Sequence, residues 1–227
     1  MSALAGHDWW HVIDLPDGTS TPGGWDLRPT AERIPWPDLR GARCLDVGTA
    51  DGFWAFELER RGAAEVVASD RPSPFQSRAR RRFELARELR GSSVRYEECD
   101  VFEIAGSYDV VFMGYVLQMV RDPIGALESI RQACTGHLLL LDTVSLPLEA
   151  IPAPLARLDA RHDGREWFVF NRRGLRRAVE LAGWRVMAQT GVLPDVAGPA
   201  PQAQHASRSW KYRLGVRGRA CALRASV

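Results

Sequence analysis

Lysine is all but missing from this chain: of 30 basic side chains in 227 residues, only Lys211 is a lysine. A nucleotide loop of the G-K-[ST] kind, which sets a lysine against the phosphates, is thereby excluded. Cysteine is scarce as well. Cys44, Cys99, Cys134 and Cys221 show no C-x-x-C spacing, so neither a zinc site nor a disulfide framework is indicated, and no metal is expected. No apolar run approaches the ~20 residues of a membrane span, and no charged stretch followed by an apolar core opens the chain. A reducing, cytoplasmic location is the default expectation, with no membrane partner. The net charge of +2 is too small to argue by itself for a nucleic-acid partner. The arginine excess fits a GC-rich coding bias as readily as phosphate recognition. No internal repeat is visible, and the length suits one α/β core with additions.

What is present centres on Arg43 to Asp70. Cys44, Leu45 and Val47 form a short apolar run that stops at Gly48, as a buried parallel strand would. A helix follows from about Phe53, with Gly62 placed as its C-terminal cap, and a second strand from Glu65 to Ser69 closes on Asp70. Such a βαβ unit brings a loop, a helix N-terminus and a carboxylate to one edge of a sheet, where doubly wound folds bind ligands. The loop reads Gly48-Thr49-Ala50-Asp51-Gly52-Phe53. It lacks the third glycine of a dinucleotide site and carries an acid where pyrophosphate would lie. An anion is unwelcome beside Asp46 and Asp51. A ligand with a cationic amino end and a vicinal diol suits it better: Asp70 can accept both hydroxyls, and Gly48 puts no Cβ in the way.

Asp46-Val47-Gly48-Thr49-Ala50-Asp51-Gly52 resembles motif I of the class I S-adenosylmethionine-dependent methyltransferases, with Ala50 in place of the middle glycine. Asp70, followed by Arg71, matches that family's ribose-binding acid. Asp100 and Val101, after a strand from Ser93 to Glu97, match the position that takes the adenine amino group. Tyr108 to Met113 with Gly114 resembles the fourth strand, which opens on the methyl donor. The resemblance runs from Arg43 to Thr143 and implies a Rossmann-like α/β fold, a mostly parallel seven-stranded sheet with an antiparallel last strand. It also implies S-adenosylmethionine as cofactor, held by Asp46, Gly48, Thr49, Ala50, Gly52, Asp70, Arg71, Asp100, Val101 and Gly114. The DGFWAFELERRGA wording is similar to a branch related to the wobble-uridine tRNA carboxymethyl-transfer enzymes. Those relatives hold the donor's extra carboxylate with a Tyr and an Arg. Here the local wording is Leu117-Gln118-Met119, so the ordinary donor is expected.

Residues 1–40 form an N-terminal arm ahead of a methyltransferase domain at 41–227. The arm carries Trp9, Trp10, His11, Trp25 and Trp36 among turn signals such as Pro16-Asp17-Gly18. So many tryptophans are costly to leave in water. Two readings stay open: a lid over the ligand pocket, or aromatics packed on outer helices with no further role. From Pro72 to Arg90 apolar residues recur at helical spacing, with Arg78, Arg80, Arg81 and Arg82 on what reads as the wet face. Asp122-Pro123 starts a helix expected from Ile124 to Cys134 with Gly136 as its stop, and His137 to Val144 forms the next strand. A cap-like insertion spans 146–170, with a short helical piece at about Leu155 to Arg161. Asn171 caps a further helix before a strand from Trp184 to Val192. Beyond a long loop lie two strand candidates, Trp210 to Val216 and Ala220 to Val227, of which the second is favoured as the antiparallel strand.

Methyl transfer is an in-line displacement on an already activated carbon, so the protein mainly aligns the acceptor and excludes water, an effect worth on the order of 7–11 kcal/mol. If the acceptor must lose a proton, His11 and His162 are the candidate bases. Tyr115, Gln118 and Met119, leaving the fourth strand, together with Trp10 and Trp167, are the candidate acceptor contacts. Three functions follow: O- or N-methylation of a small molecule, as in specialised metabolism; modification of a tRNA base; or binding of S-adenosyl ligands without catalysis. The first is favoured, with nucleic acid the lesser partner. Oligomeric state is not legible.

Overall fold

The structure, a computed structural model, describes residues 4, 6–158, 166–194 and 219–227. His162 and the strand candidate Trp210 to Val216 lie outside them. The chain runs α1 (Arg28–Ala31), β1 (Arg43–Val47), α2 (Phe53–Arg60), β2 (Glu65–Asp70), α3 (Pro74–Arg90), β3 (Arg95–Glu98), β4 (Tyr108–Gly114), a 3-10 turn (Leu117–Met119), α4 (Pro123–Ala133) and β5 (Cys134–Thr143). Then come α5 (Leu146–Glu149), β6 (Ala156–Leu158), β7 (Phe168–Phe170), α6 (Arg172–Leu181), β8 (Arg185–Gln189), β9 (Leu193–Pro194) and β10 (Arg219–Ser226).

The main sheet has the order β3-β2-β1-β4-β5-β10-β8, with β9 paired to β10. β1 to β5 are mutually parallel, and β10 is antiparallel to both its neighbours. This is the Rossmann-like architecture expected from the sequence, with the favoured second stretch as the antiparallel strand. Both faces of the sheet are covered, so the central strands are apolar throughout. Cys44, Val66, Val110, Phe112 and Leu139 pack with α2, α3 and the arm, while Leu45, Val67, Val111, Leu138 and Leu223 pack with α4 and α6.

Side chains start two of the helices as expected. Asp122 accepts from the Gly125 N–H at 2.9 Å and Asn171 from the Gly174 N–H at 2.7 Å, each satisfying an amide the helix leaves free. α2 begins instead at Gly52 in the left-handed region (φ 97°), with no side-chain cap.

Three expectations need correction. α4 (Pro123–Ala133) has its expected extent to within a residue, but Gly136 does not cap it, because Cys134 is already extended and the helix passes straight into β5. Gly136 is small because a Cβ there would stand 2.4 Å from the Asp109 carbonyl oxygen on the neighbouring strand. The stretch at Leu155 contains no described helix: Ala156–Leu158 pairs antiparallel with Phe168–Phe170 as a two-stranded sheet under the insertion. Arg82 is not on the wet face of α3, being only 6% exposed, and Arg80 lies over the Tyr96 ring at 4.9 Å.

Candidate active site

β1 delivers the chain to a turn that only small residues can make. The Gly48 and Thr49 N–H groups both donate to the Ser69 carbonyl on β2, at 2.8 and 3.0 Å, which fixes the turn to the second strand. Gly48 (φ 75°) has no room for a side chain, since a Cβ would meet the Val116 methyl at 2.3 Å. Ala50 also lies in the left-handed region (φ 49°), at a cost of about 1–2 kcal/mol that a glycine would not carry. What holds it is Asp70: the Ala50 N–H donates to Oδ2 at 3.0 Å. The buried Asp70 carboxyl therefore touches the turn itself, on the side where β2 ends.

Asp46, one residue before that strand stops, is fully buried, with the Thr49 hydroxyl and the Ala55 backbone N–H beside its carboxyl, neither in the geometry of a full hydrogen bond. Burial pushes the Asp46 carboxyl up to about 7, with Thr49 and Ala55 pulling the other way. A buried carboxyl so weakly held is costly, and a cationic group in the cleft would pair with it. On the far side of β2, Cys99 N–H donates to the Asp70 carbonyl at 2.9 Å, and Asp100 Oδ1 accepts from Phe102 N–H at 3.2 Å. Val101 is buried beside them, whereas Arg71 is exposed.

β4 opens at Gly114, where a Cβ would come within 2.9 Å of Phe112 and of the Trp54 indole nitrogen. Tyr115 follows with φ 58°, its N–H donating to the Leu141 carbonyl at 2.7 Å. Gln118 is buried, with its side-chain oxygen unpartnered. Its N–H donates to Asp142 Oδ2 at 3.1 Å and its carbonyl accepts from Trp167 N–H at 2.7 Å. The Arg121 guanidinium covers the Trp167 ring at 4.4 Å. Met119 is exposed.

The arm reaches this edge through Asp51. That carboxylate is fully buried and accepts from Trp10 N–H at 2.5 Å, from His11 N–H at 3.2 Å and from Arg82 Nε at 2.7 Å. Its charge is thus taken up by Arg82 and the arm, a correction to the expectation that Asp51 repels anions at the ligand position; Asp46 alone remains to do so. His11 lies 6.0 Å from the Phe53 ring, and its Nδ1 is buried without a partner. Burial lowers its pKa, opposed by Asp51 and aided by Arg82.

The expected residues Asp46, Gly48, Thr49, Ala50, Gly52, Asp70, Asp100, Val101 and Gly114 therefore lie at the C-terminal ends of β1, β2, β3 and β4, with Trp10 and His11 tied to the turn after β1. Tyr115, Gln118 and Trp167 form an adjoining rim. Sequence reasoning missed Arg82 and Asp142. Asp142 is buried and its carboxyl is pushed up to about 7 by that burial, against the N–H groups of Thr143 and Gln118. An acid closing the apolar run Leu138 to Leu141 was the available signal. For Arg82 there was none.

The family model described as a methyltransferase domain matches residues 26–189. The chain belongs to this family. The methyltransferase is 30% identical over 138 residues to a tRNA U34 carboxymethyltransferase of Alcanivorax borkumensis, an alignment covering 60% of this chain and 42% of that protein. It thus spans about two fifths of that relative's length. An S-adenosylmethionine-dependent methyltransferase from Mesorhizobium loti superposes with a TM-score of 0.59 at 17% identity, over 88% of this chain and 97% of the other. The N-terminal domain of EvdMO1, solved in the presence of S-adenosylhomocysteine and D-fucose, gives 0.61 at 18% identity, over 98% and 91%. At such identities the two structures show a shared fold. The fold is thus one that S-adenosylmethionine-dependent methyltransferases adopt.

Proposed function

We propose that the enzyme methylates a small-molecule acceptor at oxygen or nitrogen, inside a pocket roofed by its N-terminal arm. The observation that carries this reading is the fastening of Trp10 and His11 to the donor turn by Asp51. An arm held there narrows the open edge of the sheet to the size of a small acceptor. S-adenosylmethionine, when bound, supplies a methyl group activated on a sulfonium. Asp70 would take the ribose hydroxyls, Asp100 and Val101 the adenine, and Gly48 and Thr49 the amino-acid tail, while the buried Asp46 carboxyl would face the tail's ammonium. The small surface at Gly114 leaves the reacting carbon open to the acceptor, whose contacts are Tyr115, Gln118, Met119 and Trp167. His11, neutral at pH 7 because burial lowers its pKa, is the base that takes the acceptor's proton. The second candidate base, His162, has no described position.

The matched tRNA-modifying relative favours a second reading, modification of a tRNA base. Against it, Arg82 is withdrawn into Asp51 and Arg80 lies against Tyr96 near Glu98. Of the basic cluster, Arg78, Arg80 and Arg81 still face water, Arg80 with Tyr96 and Glu98 beside it. No helix among the described residues is long and apolar enough to cross a membrane, and we place the enzyme in the cytoplasm.

The test is turnover with labelled donor on a panel of small hydroxyl and amine acceptors and on bulk tRNA. Small acceptors are expected to be methylated and tRNA not; turnover on tRNA that falls steeply with salt would establish the second reading instead. On the best acceptor, His11→Ala should lower turnover at saturating donor by about 100-fold or more. Unchanged turnover would reject it as the base.

Asp46 also sets a pH dependence. Its carboxyl is neutral below about 7, and an ammonium in the cleft favours the charged form, so binding lowers its pKa. Below that pH binding must expel a proton, which costs affinity; above it no proton moves. The affinity for S-adenosylhomocysteine should therefore rise between about pH 6 and 8, with proton release seen by calorimetry in buffers of different ionisation enthalpy.

A further inference from the structure

The arm is braced internally before it meets the body of the protein. Val12 N–H donates to the Trp25 carbonyl and Trp25 N–H to the Trp10 carbonyl, both at 2.8 Å. Thr21 Oγ1 donates to the His11 carbonyl at 2.6 Å and accepts from Ile13 N–H at 2.8 Å. Gly23 approaches so closely that a Cβ would stand 2.0 Å from the His11 carbonyl carbon. The stretch holding Trp10 and His11 is therefore one stiff piece, and moving either amide moves both.

Its polar attachment to the donor turn is the Asp51 carboxylate. Asp51 lies between two left-handed residues, Ala50 and Gly52 (φ 49° and 97°), so its direction is set by the turn and not by a helix or strand. The same turn is fixed on its other side by Asp70, which accepts the Ala50 N–H. From Asp70 to the arm the connection runs through one peptide unit and one carboxylate. Arg82 stands behind that carboxylate, itself buried, with Nη2 unpartnered.

We propose that Asp51 is a positioning residue that couples the arm to occupancy of the donor turn, setting His11 and Trp10 in place when the donor is bound. This rests on the reading of that turn as the donor site. A donor that occupies Asp70 and the turn restricts Ala50, and through Asp51 it restricts the arm amides. Linkage makes the effect reciprocal: a restrained arm raises donor affinity by the same factor.

The experiment is amide-resolved hydrogen exchange on the full chain, with and without saturating S-adenosylhomocysteine, on the unmodified protein and on Asp51→Asn. In the unmodified protein, product should slow exchange at Trp10 and His11 by about tenfold, within the usual range of coupling, and leave Leu223 in β10 unchanged. Asp51→Asn should bind product about tenfold more weakly and lose the product effect at both amides. A purely structural role would change exchange equally with and without product. Product binding to the unmodified protein with no change at Trp10 and His11 would overturn the coupling, and this arm needs no variant to fold. Equal affinity in Asp51→Asn would overturn it too. Failure of product to bind the unmodified protein at all would remove the donor reading along with the coupling, and is distinguishable from both.

Discussion

Asp70→Ala is expected to weaken S-adenosylhomocysteine binding by about 100-fold or more. Two hydrogen bonds from ribose hydroxyls to a carboxylate contribute roughly 1.5–3 kcal/mol each, so the lower bound is about 3 kcal/mol, with tenfold in affinity for every 1.4 kcal/mol. The variant also releases the Ala50 N–H, which Asp70 Oδ2 holds at 3.0 Å, and so frees a strained turn to leave its binding shape. Both losses act in one direction. Calorimetric titration measures the sum, and thermal unfolding of the free variant separates loss of the site from loss of the fold. A variant that binds as tightly as the unmodified protein would remove Asp70 from the donor site.

The second large effect is on stability. Arg82→Met leaves the Asp51 carboxylate buried and facing an apolar chain, a change that costs about 3–5 kcal/mol when a buried pair is broken from one side. The two side chains are 7% and 0% exposed. Further along the same helix, Arg87 pairs with Glu84 with both partners well exposed, 42% and 38%, and Arg87→Met should cost less than about 1 kcal/mol. The double variant Arg82→Met with Asp51→Asn removes the stranded charge and should recover most of the loss. Urea unfolding of the unmodified protein, Arg82→Met, Asp51→Asn and the double variant gives the coupling directly, with Arg87→Met as the exposed comparison. A cost for Arg82→Met no larger than that for Arg87→Met would mean that the pair is solvated.

The contrast between those two arginines shows where the sequence could be read and where it could not. Arg43 to Asp70 was legible because each boundary carries its own local signal: an apolar run cut by Gly48, a helix closed at Gly62 (φ 97°) and a strand ended by an acid. Asp122 and Asn171 announced their helices for the same reason, since a cap acts within three residues. Gly136 was misread because a glycine that ends a helix and one that lets two strands approach are spelled alike. The pairing of Ala156–Leu158 with Phe168–Phe170 depends on a partner further along the chain, not on a period. Arg82 and Asp51 are 31 positions apart, and nothing in a run of arginines marks the one that turns inward. The arm's aromatics were recognised as too apolar for water, yet their attachment is made by backbone amides, which have no side-chain signature at all.

The placement of β10 bears on how the molecule assembles. The strand formed by the last described residues lies inside the sheet, between β5 and β8, so β8 cannot reach its neighbours until β10 has been inserted. The half built from β1 to β5 gathers from short crossovers, each strand next to one already laid down. The other half waits on a contact between Ala225 and Leu138, far apart along the chain, and contacts of that span close slowly. The margin formed by β10 and β8 is therefore expected to close last, which late protection of the Leu223 amide in pulsed hydrogen exchange during refolding would show.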